Sequence, residues 1–276
     1  MRFATVRTAS GTSAARLDGD DLVLLKATDV GALLAEGDLD RAGHDESGGS
    51  VKAADADFAT LVTRPSKVFC VGLNYRSHIL ETGNTLPEYP TLFAKFTAAL
   101  IGAHDDIILP SVSQRADWEV EICVVIGSPL RHASREEAQL GIAGYTVLND
   151  ISIRDYQRRT SQWLQGKTFE NTTPVGPYLV TGDEIGEGLD LEVRCEVDGQ
   201  VMQLDRTSEL VFGALDVVTY CSDVLTLQPG DLLSLGTTGG VGDARDPKVS
   251  LRAGQVVRTS IEGIGECVNT CVDEVA

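Results

Sequence analysis

Basic residues are scarce in this sequence. Its 276 residues include 23 lysines and arginines against 41 aspartates and glutamates, which gives a formal net charge of -18 at pH 7. Such a charge repels nucleic-acid phosphates and anionic lipid surfaces, so we predict no nucleic-acid partner and no membrane partner. An anionic substrate would need a local reversal of this charge, and a bound cation would supply it.

Membrane-length apolar runs and paired cysteine motifs are also missing. No run approaches the length of a membrane span, and residues 1–10 lack the apolar stretch of a signal peptide, so we expect a cytoplasmic protein. The six cysteines form no C-x-x-C pair, which argues against a zinc or redox motif. In a long chain without a secretory signal, we expect free thiols rather than disulfides.

Strand-like segments outnumber helical ones in what the sequence does contain. Apolar runs bounded by Gly, Pro, Asn and Asp predict strands at residues 67–75, 117–127, 142–150, 175–181, 189–200 and 255–265. Helical spacing is present at residues 134–140 and 207–222, and more weakly at 151–165. We therefore predict an α+β, β-rich fold, with a small N-terminal domain at residues 1–62 and a catalytic domain at residues 63–276.

The most informative segment is the predicted strand at residues 117–127. Side chains alternate across a strand, so Glu119 and Glu121 share one face, about 7 Å apart. Two carboxylates aimed at a buried face repel each other, and a divalent cation would remove that penalty. The alternative is a solvated strand face, which is common for a single Glu-x-Glu pattern.

A second predicted strand, residues 142–150, ends in another carboxylate, Asp150. Three carboxylates from two strands, without a nearby His or Cys, favour Mg²⁺ or Mn²⁺ over zinc. Ca²⁺ is a third candidate, because it also prefers oxygen ligands. The spacing alone leaves open whether these groups bind a metal.

The order of short motifs from about Pro65 to the C-terminus resembles the fumarylacetoacetate hydrolase family. Each motif is weak alone, but together they cover some 200 residues in the family's order. The matching segments are residues 72–81, the Glu119-x-Glu121 strand, 144–150 with Arg154 and Gln157, 165–167, 174–177, 197–199, 227–231, 236–239 and 262–265.

The resemblance implies a mixed β-sandwich roll, usually assembled as a homodimer, and a role for individual residues. Thr238 departs from the pattern, because relatives often carry proline after the Gly-Thr pair. Because of this difference, the pocket that the resemblance implies for the substrate carboxylate can have another shape in this chain. The implied metal ligands are Glu119, Glu121 and Asp150; the implied substrate contacts are Arg154, Gln157 and Thr237; and the implied catalytic residues are His78, Glu81 and Lys167.

The activity that the resemblance implies is hydrolytic carbon–carbon cleavage of an acylpyruvate-type 2,4-diketo acid, a small 2-oxo acid. His78, oriented by Glu81, would activate water, and a pyruvate enolate would leave next to the metal and Lys167. Oxaloacetate decarboxylation, or isomerisation or hydration of a diketo acid, would use the same enolate chemistry. A binding protein without catalysis is a further alternative, although every expected catalytic position is filled.

Overall fold

A computed structural model describes residues 1–37, 39–42, 44, 49–185 and 190–275. Strands are the main element, as predicted. They are β1 (Arg2–Thr8), β2 (Gly11–Asp18), β3 (Asp21–Leu24), β4 (Ser50–Lys52), β5 (Val68–Gly72), β6 (Thr91–Lys95), β7 (Leu100–Ile101), β8 (Ile107–Leu109), β9 (Ala116–Asp117), β10 (Val120–Ile126), β11 (Ile142–Asn149), β12 (Ser152–Ile153), β13 (Thr173–Val180), β14 (Glu192–Val197), β15 (Gln200–Arg206), β16 (Leu232–Thr237), β17 (Val256–Ile261) and β18 (Gly265–Asp273).

The α-helices are mostly short and lie between the strands. They are α1 (Val30–Ala35), α2 (Leu39–Ala42), α3 (Arg76–Glu81), α4 (Arg135–Gly141), α5 (Arg154–Gln157), α6 (Leu164–Lys167), α7 (Gly182–Ile185) and α8 (Ala214–Val224). The predicted helix at residues 151–165 was wrong in detail, because the segment forms β12, then α5, and reaches the start of α6 after a break.

Among the described residues, 11 strands join one sheet. Its order is β4-β3-β2-β1-β13-β11-β10-β16-β5-β6, and β7 pairs with β13. A second sheet, in the order β15-β14-β17-β18-β8, packs across β10, β11 and β13. These two sheets form a β-sandwich, so the predicted α+β, β-rich sandwich is confirmed.

Strand β10 lies at the centre of this sandwich, and all seven of its residues are buried. Its alternate side chains enter two different cores, as the period of two predicts. Val120 and Ile122 join the core between the two sheets, whereas Cys123 and Val125 join a core on the opposite face. Helix α1 covers that opposite core with Leu33 and neighbouring apolar residues.

The N-terminal strands belong to the large sheet. Residues 2–4 of β1 pair antiparallel with residues 178–180 of β13, so the segments on either side of residue 62 are hydrogen-bonded to each other. The division into domains at 1–62 and 63–276 stays a prediction. The six cysteines are free and buried, in agreement with the expected thiols.

Candidate active site

Three carboxylates converge where β10 begins and β11 ends. The strands are antiparallel, with Val120 opposite Asn149, and the Asp150 N–H donates to the Glu119 carbonyl over 2.8 Å. This pairing brings one oxygen each from Glu119, Glu121 and Asp150 to within 4.8 Å of one another. The three side chains are buried. The convergence inferred from the two strands is therefore present.

Three cations surround these carboxylates. Lys167 Nζ lies 2.6 Å from Glu119 Oε2 and 2.7 Å from Asp150 Oδ2. Lys95 Nζ lies 2.6 Å from Asp150 Oδ1, and Arg154 Nη1 lies 2.6 Å from Glu119 Oε1. The ion pairs offset the cost of burying charge, because each cation has a carboxylate at hydrogen-bond distance.

Glu119 and Glu121 differ in their electrostatic surroundings. Burial would raise the pKa of Glu119, but the charges of Lys167 and Arg154 outweigh burial and lower it. Glu121 has neutral donors, the Ser234 hydroxyl and the Gly236 N–H, at Oε2. Burial, together with the neighbouring charges of Asp150 and Glu119, raises the pKa of Glu121 well above its usual range.

The donor set fits a hard divalent cation. The three ligand candidates are all carboxylates, and each carboxylate oxygen has lone pairs for a metal in addition to its hydrogen bonds. The penalty that raises the pKa of Glu121 is the repulsion and desolvation that a cation would relieve. Glu119, Glu121 and Asp150 are therefore the residues that would hold the metal.

His78 and Glu81 lie on one side of α3. His78 Nδ1 lies 2.7 Å from Glu81 Oε1, and the Gly240 N–H donates to Glu81 Oε2 over 2.9 Å. Because Glu81 is held at both oxygens, it can accept a hydrogen bond from Nδ1–H, and it favours the imidazole tautomer whose Nε2 is an acceptor. This arrangement is the one that a general base requires.

Two of the three guanidinium nitrogens of Arg154 are hydrogen-bonded to the protein. Its Nε donates to Asp117 Oδ2 over 2.8 Å, and its Nη1 donates to Glu119 and to Gln157 Oε1. Within the described part of the chain, its buried Nη2 has no hydrogen-bond partner. Buried polar groups are rarely left unpaired, so this nitrogen is a candidate donor to a ligand in the cavity that Arg154 lines.

Thr237 is already hydrogen-bonded to the protein. Its hydroxyl donates to the Val120 carbonyl over 2.9 Å and accepts from Gln203 Nε2 over 2.8 Å. For the predicted contact with a substrate carboxylate, the hydroxyl would have to rotate away from Val120. Gln203 also accepts from the Val120 N–H, so it ties the end of β16 to β10.

These groups face one cavity of about 520 Å³, a volume suited to a small molecule. Asp150 is not among the residues that line the cavity, but it contacts Lys167 and belongs to the carboxylate cluster. The structure therefore brings together all nine predicted site residues, while their individual roles stay predictions. The predicted residues that line the cavity are His78, Glu81, Glu119, Glu121, Arg154, Gln157, Lys167 and Thr237.

Sequence reasoning missed Lys95 and Asp117, both of which contact predicted site residues. Lys95 ends the apolar strand β6 and is buried against Asp150. A lysine inside an apolar run was its one signal, because such a residue is seldom buried without a partner. Asp117, the first residue of the predicted strand at residues 117–127, was given no role, and it holds Arg154.

Known proteins resemble this chain in sequence and show its family. The family described as fumarylacetoacetate (FAA) hydrolase, C-terminal, matches residues 67–272. The mitochondrial oxaloacetate tautomerase FAHD2A of Bos taurus is 43% identical over 221 residues, which cover 79% of this chain and 70% of that protein. The Homo sapiens protein of the same name is 41% identical with the same coverage.

A solved structure is also similar along its whole length. The 5-carboxymethyl-2-hydroxymuconate delta-isomerase of Mycobacterium smegmatis is 32% identical, covers 100% of both chains and superposes with a TM-score of 0.82. Among the described residues of the present chain, no helix has the length and apolar character that crossing a bilayer requires.

The family match over residues 67–272 and the sequence identity to these relatives show that the chain is an enzyme of the fumarylacetoacetate hydrolase family.

Proposed function

We propose that this enzyme interconverts the enol and keto forms of a small 2-oxo acid, with a divalent cation held by Glu119, Glu121 and Asp150. The observation that carries the proposal is the unpaired Arg154 Nη2, buried next to that carboxylate cluster. It offers an N–H to an oxygen of an acid bound at the same place. The names of the relatives, oxaloacetate tautomerases and an isomerase, support this reaction class.

The expected metal is Mg²⁺ or Mn²⁺, with Ca²⁺ as the third candidate, because the ligand set consists of carboxylate oxygens. When bound, the cation would act as a Lewis acid that polarises the 2-oxo group and makes the neighbouring C–H more acidic.

The side chains of the protein then account for binding and proton transfer. Arg154 Nη2 donates to the substrate carboxylate, and Gln157, held by Arg154, lies beside it. In the keto-to-enol direction His78 Nε2 takes a proton from the carbon next to the carbonyl, and the enolate oxygen takes up a proton from water; in the reverse direction the oxygen releases its proton to water and protonated His78 returns one to the carbon. Burial would lower the pKa of Lys167, but Asp150 and Glu119 raise it. Lys167 therefore stays charged and stabilises the enolate oxygen.

Hydrolysis of an acylpyruvate is the second candidate. It is favoured by the His78–Glu81 pair, because a base oriented in this way can also take a proton from water. Oxaloacetate decarboxylation needs the same enolate but no attacking water. These reactions differ in what happens beyond the shared enolate, so parallel assays can separate them.

The test is to follow the metal-loaded protein with two substrates. We expect faster decay of the ultraviolet absorbance of enol oxaloacetate with Mg²⁺ or Mn²⁺, and no acceleration in EDTA. Release of CO₂ faster than the uncatalysed rate would identify decarboxylation instead. Acetate and pyruvate from acetylpyruvate would identify hydrolysis. No effect on either acid would contradict the enolate proposal.

The predictions about partners and location complete the proposal. We propose a homodimer without nucleic-acid or membrane partners, and light scattering can measure the oligomeric state. The cytoplasmic location stays a prediction, because the tautomerases named above are described as mitochondrial.

A further inference from the structure

Arg158 lies one helical turn beyond Arg154. Helix α5 ends at Gln157, and the Arg158 N–H donates to the Arg154 carbonyl over 3.2 Å. Residues four apart on a helical turn project to the same side. Both arginines line the 520 Å³ cavity.

The two arginines lie at different depths in that cavity. The Arg154 side chain is 7% exposed and contacts the carboxylate cluster, whereas the Arg158 side chain is 59% exposed. Arg154 is therefore at the closed end and Arg158 is at the mouth. A short molecule bound at the carboxylate cluster would extend from the first arginine towards the second.

Cations outnumber carboxylates among the direct hydrogen-bond partners in the network of Arg158, although the whole chain is strongly acidic. Asp243, whose side chain is 5% exposed, accepts from Arg115 Nη2 over 3.1 Å and from Lys248 Nζ over 2.9 Å at Oδ1. Its Oδ2 accepts from Arg158 Nη2. Three cations share this single carboxylate, and of these three Arg158 is the one that lines the cavity.

The same hydrogen-bond network fixes Arg158 relative to Arg154. Asp117 Oδ2 accepts both from Arg154 Nε, over 2.8 Å, and from the Asp243 N–H, over 2.9 Å. Asp243 in turn holds Arg158. The spacing between the two guanidinium groups is therefore set by one connected network, in which the contacts of Asp117 are buried and the contact between Asp243 and Arg158 is partly buried.

We propose that Arg158 is a specificity-determining residue that binds the second carboxylate of a 2-oxo dicarboxylic acid. This inference rests on the proposed function, because it requires the 2-oxo end of the acid to lie at Arg154 and the carboxylate cluster. Arg158 then distinguishes a dicarboxylate from a monocarboxylate of the same length through a charge-assisted hydrogen bond.

Oxaloacetate and 2-oxobutyrate test this inference, because both have four carbons and only oxaloacetate has a second carboxylate. Calorimetric titration of the Mg²⁺-loaded protein should give a dissociation constant at least about tenfold lower for oxaloacetate. In Arg158→Met, the ratio of the two constants should fall to about one, with 2-oxobutyrate affinity unchanged. Arg158→Lys should keep part of the ratio, because the charge remains but the planar fork is lost.

Arg159→Met is the matched control. Arg159 is the adjacent arginine, is exposed and lies 3.4 Å over the Tyr156 ring, and this variant should keep the wild-type ratio. Equal binding of both acids by the wild type, or an unchanged ratio in Arg158→Met, would overturn the inference and leave the proposed function intact. Binding of neither acid by the wild type would overturn both.

Discussion

Asp117 and Arg154 form an ion pair in which both side chains are buried, with 2.8 Å between Asp117 Oδ2 and Arg154 Nε. The other oxygen of Asp117 accepts from the N–H groups of Trp118 and Gly242. This aspartate therefore neutralises Arg154 and also anchors the backbone that leads to Asp243.

Replacing Asp117 with asparagine should destabilise the protein by about 3 kcal/mol, because it leaves a buried guanidinium with one charged partner fewer. The amide group of asparagine would also place its own N–H donors against the N–H groups that donate to the Asp117 carboxylate in the wild type. Chemical unfolding at pH 7 measures the loss. Asp155→Asn is the control, since Asp155 is exposed and accepts from Ser113. Similar stability for both variants would contradict the role given to Asp117.

Glu121→Gln should abolish the stabilisation of the protein by metal. A cation that binds only the native state raises stability by about 2.7 kcal/mol at 100 times its dissociation constant. The wild type should show this rise in thermal unfolding with Mn²⁺ against EDTA, and the variant should not. Glu136→Gln, at an exposed position of α4, should behave as the wild type.

In EDTA the Glu121→Gln variant should be at least as stable as the wild type at neutral pH. The pKa of Glu121 is raised in the folded state, so its contribution to stability is complete at low pH and is lost as pH rises through the folded pKa. Glutamine removes this loss. A variant that unfolds much earlier than the wild type in EDTA would contradict this electrostatic account.

The sequence was sufficient to predict the carboxylate cluster because strand geometry is regular. Alternation at the start of β10 places Glu121 and the immediately preceding Glu119 on the same side, and Asp150 follows a strand that pairs directly with β10. The compensating Lys95 could not be predicted, because β6 is four strands from β11 in the large sheet and sequence spacing gives no information about that distance. Long-range charge pairing depends on the tertiary fold.

Glu81→Gln should lower the catalytic rate with little effect on metal binding. Glutamine can still contact His78 and Gly240, but it cannot stabilise a protonated imidazole. General acid–base catalysis contributes about 10²- to 10⁴-fold. We expect His78→Ala to lose that full factor and Glu81→Gln to lose part of it. The measurement is kcat with saturating Mg²⁺, with the Mn²⁺-dependent thermal shift as the control for an intact metal site. An unchanged kcat in His78→Ala would exclude it as the base.

Gly166→Ala should impair both stability and activity, although Gly166 precedes a predicted catalytic residue and has no functional group. A Cβ there would lie 2.3 Å from the backbone nitrogen of Gln157, which cannot move without shifting α5. Overpacking of this kind costs about 1–3 kcal/mol. Gly182→Ala, where a Cβ meets nothing within 4 Å, is the control. Thermal unfolding and kcat/KM measure the two effects, and wild-type values for Gly166→Ala would refute the steric argument.

The contact at Gly166 gives a structural reason for one of the sequence motifs that carry the family resemblance. Residues 165–167 carry the family resemblance, and the glycine is needed because α6 packs its backbone against α5. The helices themselves were predicted less well, since each has four residues and their apolar spacing is too short to separate from a continuous helix.

The pairing of β1 with β13 has a consequence for any attempt to produce the C-terminal part of the chain alone. Strand β13 lies between β1 and β11 in the large sheet. Without residues 1–62, part of β13 would become an outer edge with unsatisfied N–H and C=O groups, and such an edge can recruit a strand from another molecule. A fragment that begins at residue 63 should therefore self-associate, whereas in the full chain β1 pairs with this part of β13 and leaves it no free edge.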